Sequence, residues 1–158
     1  MRSGSIFGVA RIVAAKDLRI EIRSRVVSNQ VMPFAGLVMV MFAFALDNDT
    51  TLERVAGGLV WLATLFSFFI IVQRSFAIDT ADGALDALRV AGVNPAGIFL
   101  GKSIALMTHL FILEVMLVGA AIVLYRVNIQ PNSIVLLVTC MICATVGLAF
   151  VGTLYGGL

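Results

Sequence analysis

Charge is the scarcest property of this 158-residue chain: Asp, Glu, Lys and Arg make up 13% of it, against 61% hydrophobic residues. A soluble domain of this size needs far more polar surface to cover its core, which excludes that class. Histidine is nearly absent too. With His109 alone and no polar cluster around it in the sequence, neither a multi-histidine metal site nor a Ser-His-Asp triad can be built. The two cysteines, Cys140 and Cys143, form a CxxC inside an apolar run, where a thiolate is disfavoured. They read as small apolar residues one turn apart, and they offer no disulfide framework. Residues 127–158 hold no Asp, Glu, Lys or Arg, and the chain stops at Leu158 still inside that apolar run. That run points to a bilayer, and it predicts that the chain is a piece of something longer.

What the sequence does have is apolar length. Val26–Leu46 and Val55–Gln73 are uncharged, and Ser103–Tyr125 carries only Glu114 and His109. About 20 apolar residues at a rise of about 1.5 Å cross a hydrocarbon core of about 30 Å. The expected fold is therefore all-α: a polytopic membrane protein with an N-terminal interfacial amphipathic helix at 5–28 and four transmembrane helices at 31–46, 55–73, 98–124 and 133–155. Six of the 11 Lys and Arg precede the first span, and Arg74, Arg89 and Lys102 flank the loop between the second and third. By the positive-inside rule the N-terminus and that loop are cytoplasmic. A basic cluster beside a membrane segment fits anionic lipid headgroups better than nucleic acid.

The first 28 residues are not a cleavable signal, because Arg11 interrupts the only apolar stretch that could serve. They predict an amphipathic helix with an apolar stripe of Ala14, Leu18, Ile22 and Val26. Lys16, Arg19, Arg23 and Arg25 supply its basic charge, and Glu21 is spaced to pair with Arg25. Such a helix can lie in the headgroup plane. Between spans two and three, Asp79 or Thr80 can cap a short helix over 79–91, with Asp82 in its first turn. Ala81, Leu85 and Leu88 form one face of it, and Asp82, Asp86 and Arg89 another. Gly92 is a natural stop, and Asn94-Pro95 starts the next helix.

Residues 96–103 match a relaxed phosphate-loop pattern. Ile98, Phe99 and Leu100 fill the turn that phosphate would need, so Lys102 reads as an anchor at the inner membrane boundary. Glu114 lies midway along the third span, where a carboxylate costs several kcal/mol unless protonated, paired or near water. It is expected to face the protein interior or a subunit interface, with a substrate path and an interhelical hydrogen bond both open. His109 lies about 140° around the helix from it and is either packed or an axial haem ligand. Gly152 and Gly156 form a GxxxG that allows close helix approach.

Taken in order, these parts resemble an ABC-2 type permease. Residues 16–25 (KDLRIEIRSR) are similar to the KDLRLELRSR opening of the haem exporter protein B family, the CcmB permeases of cytochrome c maturation. Leu59-Val60-Trp61-Leu62-Ala63, Arg74-Ser75-Phe76, Asp82-Gly83, Ile98-Phe99-Leu100-Gly101-Lys102 and Glu114 continue the resemblance over residues 13–120. It implies a six-span permease of the bacterial inner membrane that lacks its own ATPase. ATP would be bound by a CcmA-like cytoplasmic subunit, and haem is the candidate substrate rather than a bound cofactor. CcmC, CcmD and the haem chaperone CcmE are the implied partners, with room for a homodimer of the permease. The family's ATPase-coupling helix falls on Asp79, Asp82, Gly83, Asp86 and Arg89. Family members often carry Glu-Asp-Gly where this chain has Ala81-Asp82-Gly83, and the family's last two spans are not in these 158 residues. A permease for a lipid, polysaccharide or drug, and a non-transporting scaffold, are the alternatives.

Overall fold

The computed structural model describes residues 5–46, 48–81, 83, 87, 88 and 90–156. Five long helices account for nearly all of them: α1 Ile6–Ser24, α2 Met32–Ala45, α3 Asp49–Ala81, α4 Pro95–Leu124 and α5 Pro131–Gly156. Four segments are long and apolar enough to cross a membrane: Val27–Ala45, Asp49–Asp79, Pro95–Leu124 and Pro131–Gly156. The chain is an all-α polytopic membrane protein.

Local chemistry sets the boundaries. α1 stops at Arg25, whose left-handed backbone (φ 51°) returns its N–H to the Glu21 carbonyl at 2.7 Å. A π-helical turn, Val27–Val31, follows and leads into α2. Pro33 has no N–H to donate back to the carbonyl of Asn29, and the wider turn forms directly before it. The Glu21 carboxylate accepts from the N–H of Val27 at 2.5 Å. The expected Glu21–Arg25 pair is thus replaced by a bond to a backbone donor freed at the helix break. In the turn between α2 and α3 the Asn48 side chain accepts from the N–H of Thr51 at 3.1 Å. Asn94 caps α4 as expected, accepting from the N–H of Ala96 at 3.0 Å with Pro95 beside it.

The core is the α4 stripe Leu106, Leu110, Leu113 and Leu117, spaced four, three and four residues apart, packed against Ala35 and Met39 of α2 and Ala63 of α3. Tyr125 closes the end of that core where α4 stops, donating its hydroxyl to the Met39 carbonyl at 2.8 Å. Ser103 donates to Thr153 at 3.0 Å, a polar link between α4 and α5 of the kind that joins membrane helices. Phe44, Phe69, Val123, Val135 and Val151 face outward, as expected where the surrounding solvent is lipid.

α1 packs most extensively against α4, and the two run parallel. Val9 and Val13 sit over Gly97 and Gly101, Asp17 reaches Lys102, and Glu21 and His109 line one chamber further along. The packed face of α1 is Ala10, Val13, Ala14 and Asp17. Of the stripe expected from sequence, Ala14 is buried but Ile22 is 76% exposed. The reason is Gly97-x-x-x-Gly101, which opens a slot for the α1 backbone where a Cβ on Gly101 would lie 2.7 Å from the Ala10 carbonyl oxygen. Gly152 and Gly156 do the same for α5, facing Phe68, Val72 and Phe76 of α3.

Candidate functional site: a buried ion junction beside the inter-span connector

α3 runs on without a break through Ala81, so its last turns project beyond the expected exit at 73 and meet the α1–α4 seam. There Asp79 is 3% exposed and lies between two ammonium groups. Lys16 of α1 donates to it at 2.7 Å, and Lys102 of α4 sits 2.5 Å from its second oxygen. Asp17 completes the ring, 3.2 Å from Lys16 and 3.3 Å from Lys102. Lys102, 2% exposed, also approaches the Ser75 hydroxyl at 3.4 Å and the face of Phe76 at 4.6 Å from the ring centroid. Two lysines and two aspartates make a neutral set, which is how charges are tolerated away from water. Burial works against the charge of Lys16. The hydrogen bond to Asp79 and the charges of Asp17 and Asp79 outweigh it and hold that ammonium above its usual range.

The junction corrects two expectations. Asp79 is not a helix cap, because α3 continues past it and its carboxylate is committed to Lys16 and Lys102. Lys102 is not an anchor at the inner membrane boundary, since its ammonium points inward to two carboxylates. Sequence reasoning passed over Asp17, Ser75 and Phe76 as well. The available signal was a lysine one residue beyond a GxxxG, and so carried toward whatever helix fills that slot.

Directly after α3 comes the connector. Gly83 takes a left-handed conformation (φ 62°), which only glycine adopts without strain. Ala87 donates to the Gly83 carbonyl and Ala91 to that of Ala87, both at 3.0 Å, so the backbone turns helically before Gly92 (φ 67°) ends it. Asp82, Asp86 and Arg89 lie outside the described residues. Of the basic residues expected on α1, Lys16 enters the junction, whereas Arg19, Arg23 and Arg25 stay exposed.

Glu114 is 1% exposed and faces inward, accepting from the Thr145 hydroxyl of α5 at 2.6 Å. Its other oxygen is buried without a partner among the described residues. It borders a cavity of about 330 Å3 between α3, α4 and α5, lined by Trp61, Ile122, Leu136 and Met141 among others. The structure does not bring His109 to it; that residue faces α1 instead. Thr145→Val is expected to lower the melting temperature of the detergent-solubilised protein, reflecting about 1–3 kcal/mol for a buried acceptor left unpaired. Thr145→Ser, which keeps the hydroxyl, should melt close to the parent.

A family model described as CcmB protein matches residues 9–158. The chain is similar to the heme exporter protein B of Rhodobacter capsulatus, 29% identical over 96 residues, covering 60% of this chain and 44% of that one. The protein of the same description from Paracoccus denitrificans is 31% identical over 91 residues, 57% of this chain and 42% of the relative. That from Haemophilus influenzae is 28% identical over 120 residues, 74% of this chain and 54% of the relative. The chain thus spans about half the length of the curated relatives it matches. No solved structure gives a significant match.

Proposed function

The chain belongs to the CcmB family, and on that footing we propose that it is the membrane permease subunit of an ATP-driven complex that handles haem. Hydrolysis takes place on a separate cytoplasmic ATPase of the CcmA type, and this chain is not itself an enzyme. CcmC, CcmD and the chaperone CcmE are the partners through which haem is passed and released. The N-terminus and the 82–94 connector, with the helix ends that flank it, face the cytoplasm of the bacterial inner membrane, in keeping with the lysine and arginine distribution.

The observation that carries this reading is the ion junction, which lies immediately before the connector. Asp79 is in the last turn of α3 and Lys102 is two turns into α4, so both arms of the 82–94 connector are tied to each other and to α1. A motor domain that pushes on the connector therefore moves α1, α3 and α4 together instead of bending one helix at its tip. Buried charge pairs resist separation because each partner left alone is a desolvated charge. The small-residue slots at Gly97/Gly101 and Gly152/Gly156 let the tied helices slide as packed rods. Glu114 and Thr145 link the moving α4 to α5 at mid-span.

Reversing the connector charges tests the ATPase contact. Asp86→Lys with Arg89→Glu is expected to abolish co-purification with the ATPase subunit while membrane insertion stays intact. Recovery of a fully active complex from that variant would contradict the proposal. An assembled wild-type complex whose ATPase rate ignores haem and the chaperone would point to another substrate.

A further inference from the structure

Past the ion junction, the α1–α4 seam opens into a groove of about 620 Å3 between the last turns of α1, the π-helical turn and the middle of α4. Small-molecule sites typically span roughly 300–1,000 Å3. Leu18, Ile22 and Ile112 give the groove its apolar wall, and Met32 adds a thioether. His109 is half-buried in it and makes no hydrogen bond or salt bridge among the described residues, with the carboxylates of Glu21 and Asp17 as its charged neighbours. Arg25 stands at the rim on its left-handed backbone, exposed and unpaired among the described residues. The remaining charged group, Glu21, is occupied by the N–H of Val27. His109 also walls a smaller chamber of about 40 Å3 whose other walls include Asp17, Ser75 and Asp79 of the junction. That chamber is also lined by Arg74, whose Nε is buried without a hydrogen-bond partner among the described residues.

An uncommitted imidazole and a thioether are the side chains that ligate haem iron. A guanidinium fork matches carboxylates. Apolar side chains such as Leu18, Ile22 and Ile112 gain by covering a macrocycle. We propose that this groove receives an iron porphyrin, with His109 ligating the metal, Met32 available on the same wall and Arg25 pairing with a propionate. The inference rests on the haem-handling reading above and gives it a place in the chain. Only a dative bond from the imidazole to iron forms, and no electron or group is transferred. Because His109 separates the groove from the junction chamber, cargo in the groove presses on the same elements that the motor moves.

The test titrates ferric protoporphyrin IX into the full chain in detergent and follows its Soret band, with metal-free protoporphyrin IX in parallel. The parent should give a saturable Soret shift. His109→Ala should lose that shift yet still bind the metal-free ring, which checks that the groove remains folded. Arg25→Glu should weaken both porphyrins by roughly tenfold or more. An unchanged Soret shift in His109→Ala, or no saturable binding by the parent, overturns the proposal. In the reconstituted complex, haem delivery unaffected by His109→Ala overturns this site but leaves the haem-handling reading standing. A parent complex indifferent to haem overturns both.

Discussion

Asp79→Leu is expected to cost about 3–5 kcal/mol and to leave little folded protein in detergent, because it strands the buried ammonium of Lys102. Asp79 is the most enclosed carboxylate of the junction and contacts both lysines. Its removal leaves two positive charges and only Asp17 to balance them. The double variant Asp79→Leu with Lys102→Met should behave very differently. It removes opposite charges together, keeps the Lys16–Asp17 pair at 3.2 Å and fills the space with apolar atoms. Replacements of this kind are often neutral in stability. Thermal melting of the parent, both single variants and the double variant would complete the cycle. The account expects the double variant to melt well above either single one. Equal, additive losses would mean that the ammonium and the carboxylate do not depend on each other.

Gly101→Val should have the second largest effect. A Cβ there would lie 2.6 Å from the Val13 Cβ and 2.7 Å from the Ala10 carbonyl oxygen. The second contact is to backbone, which no rotamer change can relieve, so α1 must move off α4. Overpacking of cores typically costs about 1–3 kcal/mol. Here the displacement also pulls Asp17 away from Lys102, so the loss should approach that of a broken charge pair. Limited proteolysis of α1 reads this directly: the parent should be protected over Ala10–Asp17, and Gly101→Val should be cut there. Protection equal to the parent would show that α1 is not seated on these glycines.

How much of this could be read from the sequence depends on the distance over which the information acts. Apolar length belongs to the chain itself, so four long apolar runs, three of them without a charge, mark four candidate spans. The Asn94-Pro95 start is decided within three residues and was legible for that reason. Glu114 had to face inward because its burial cost allows nothing else, and Thr145 is the partner it found. The junction was hidden because its pairs bridge 63 and 85 residues of sequence. At Asp79 a local rule, the carboxylate as helix cap, competed with two distant lysines and lost. Lys102 followed the same pattern, since a cation near a span end is commonly a boundary anchor. Gly101 falls in a phosphate-loop pattern that starts at Ala96, and that frame hides the pair Gly97 and Gly101, whose spacing is that of a helix-packing slot. Ile22 fell on a regular four-residue stripe, yet the face that packs was chosen by the shape of α4.

The measurement that bears most directly on the coupling of the connector through the ion junction is haem delivery by the reconstituted complex carrying Asp79→Leu with Lys102→Met. The account expects this complex to assemble with its ATPase and hydrolyse ATP while haem delivery to the chaperone is lost, because the connector is no longer tied to α1. Delivery at the parent rate, with the junction charges gone and the protein folded, would contradict it.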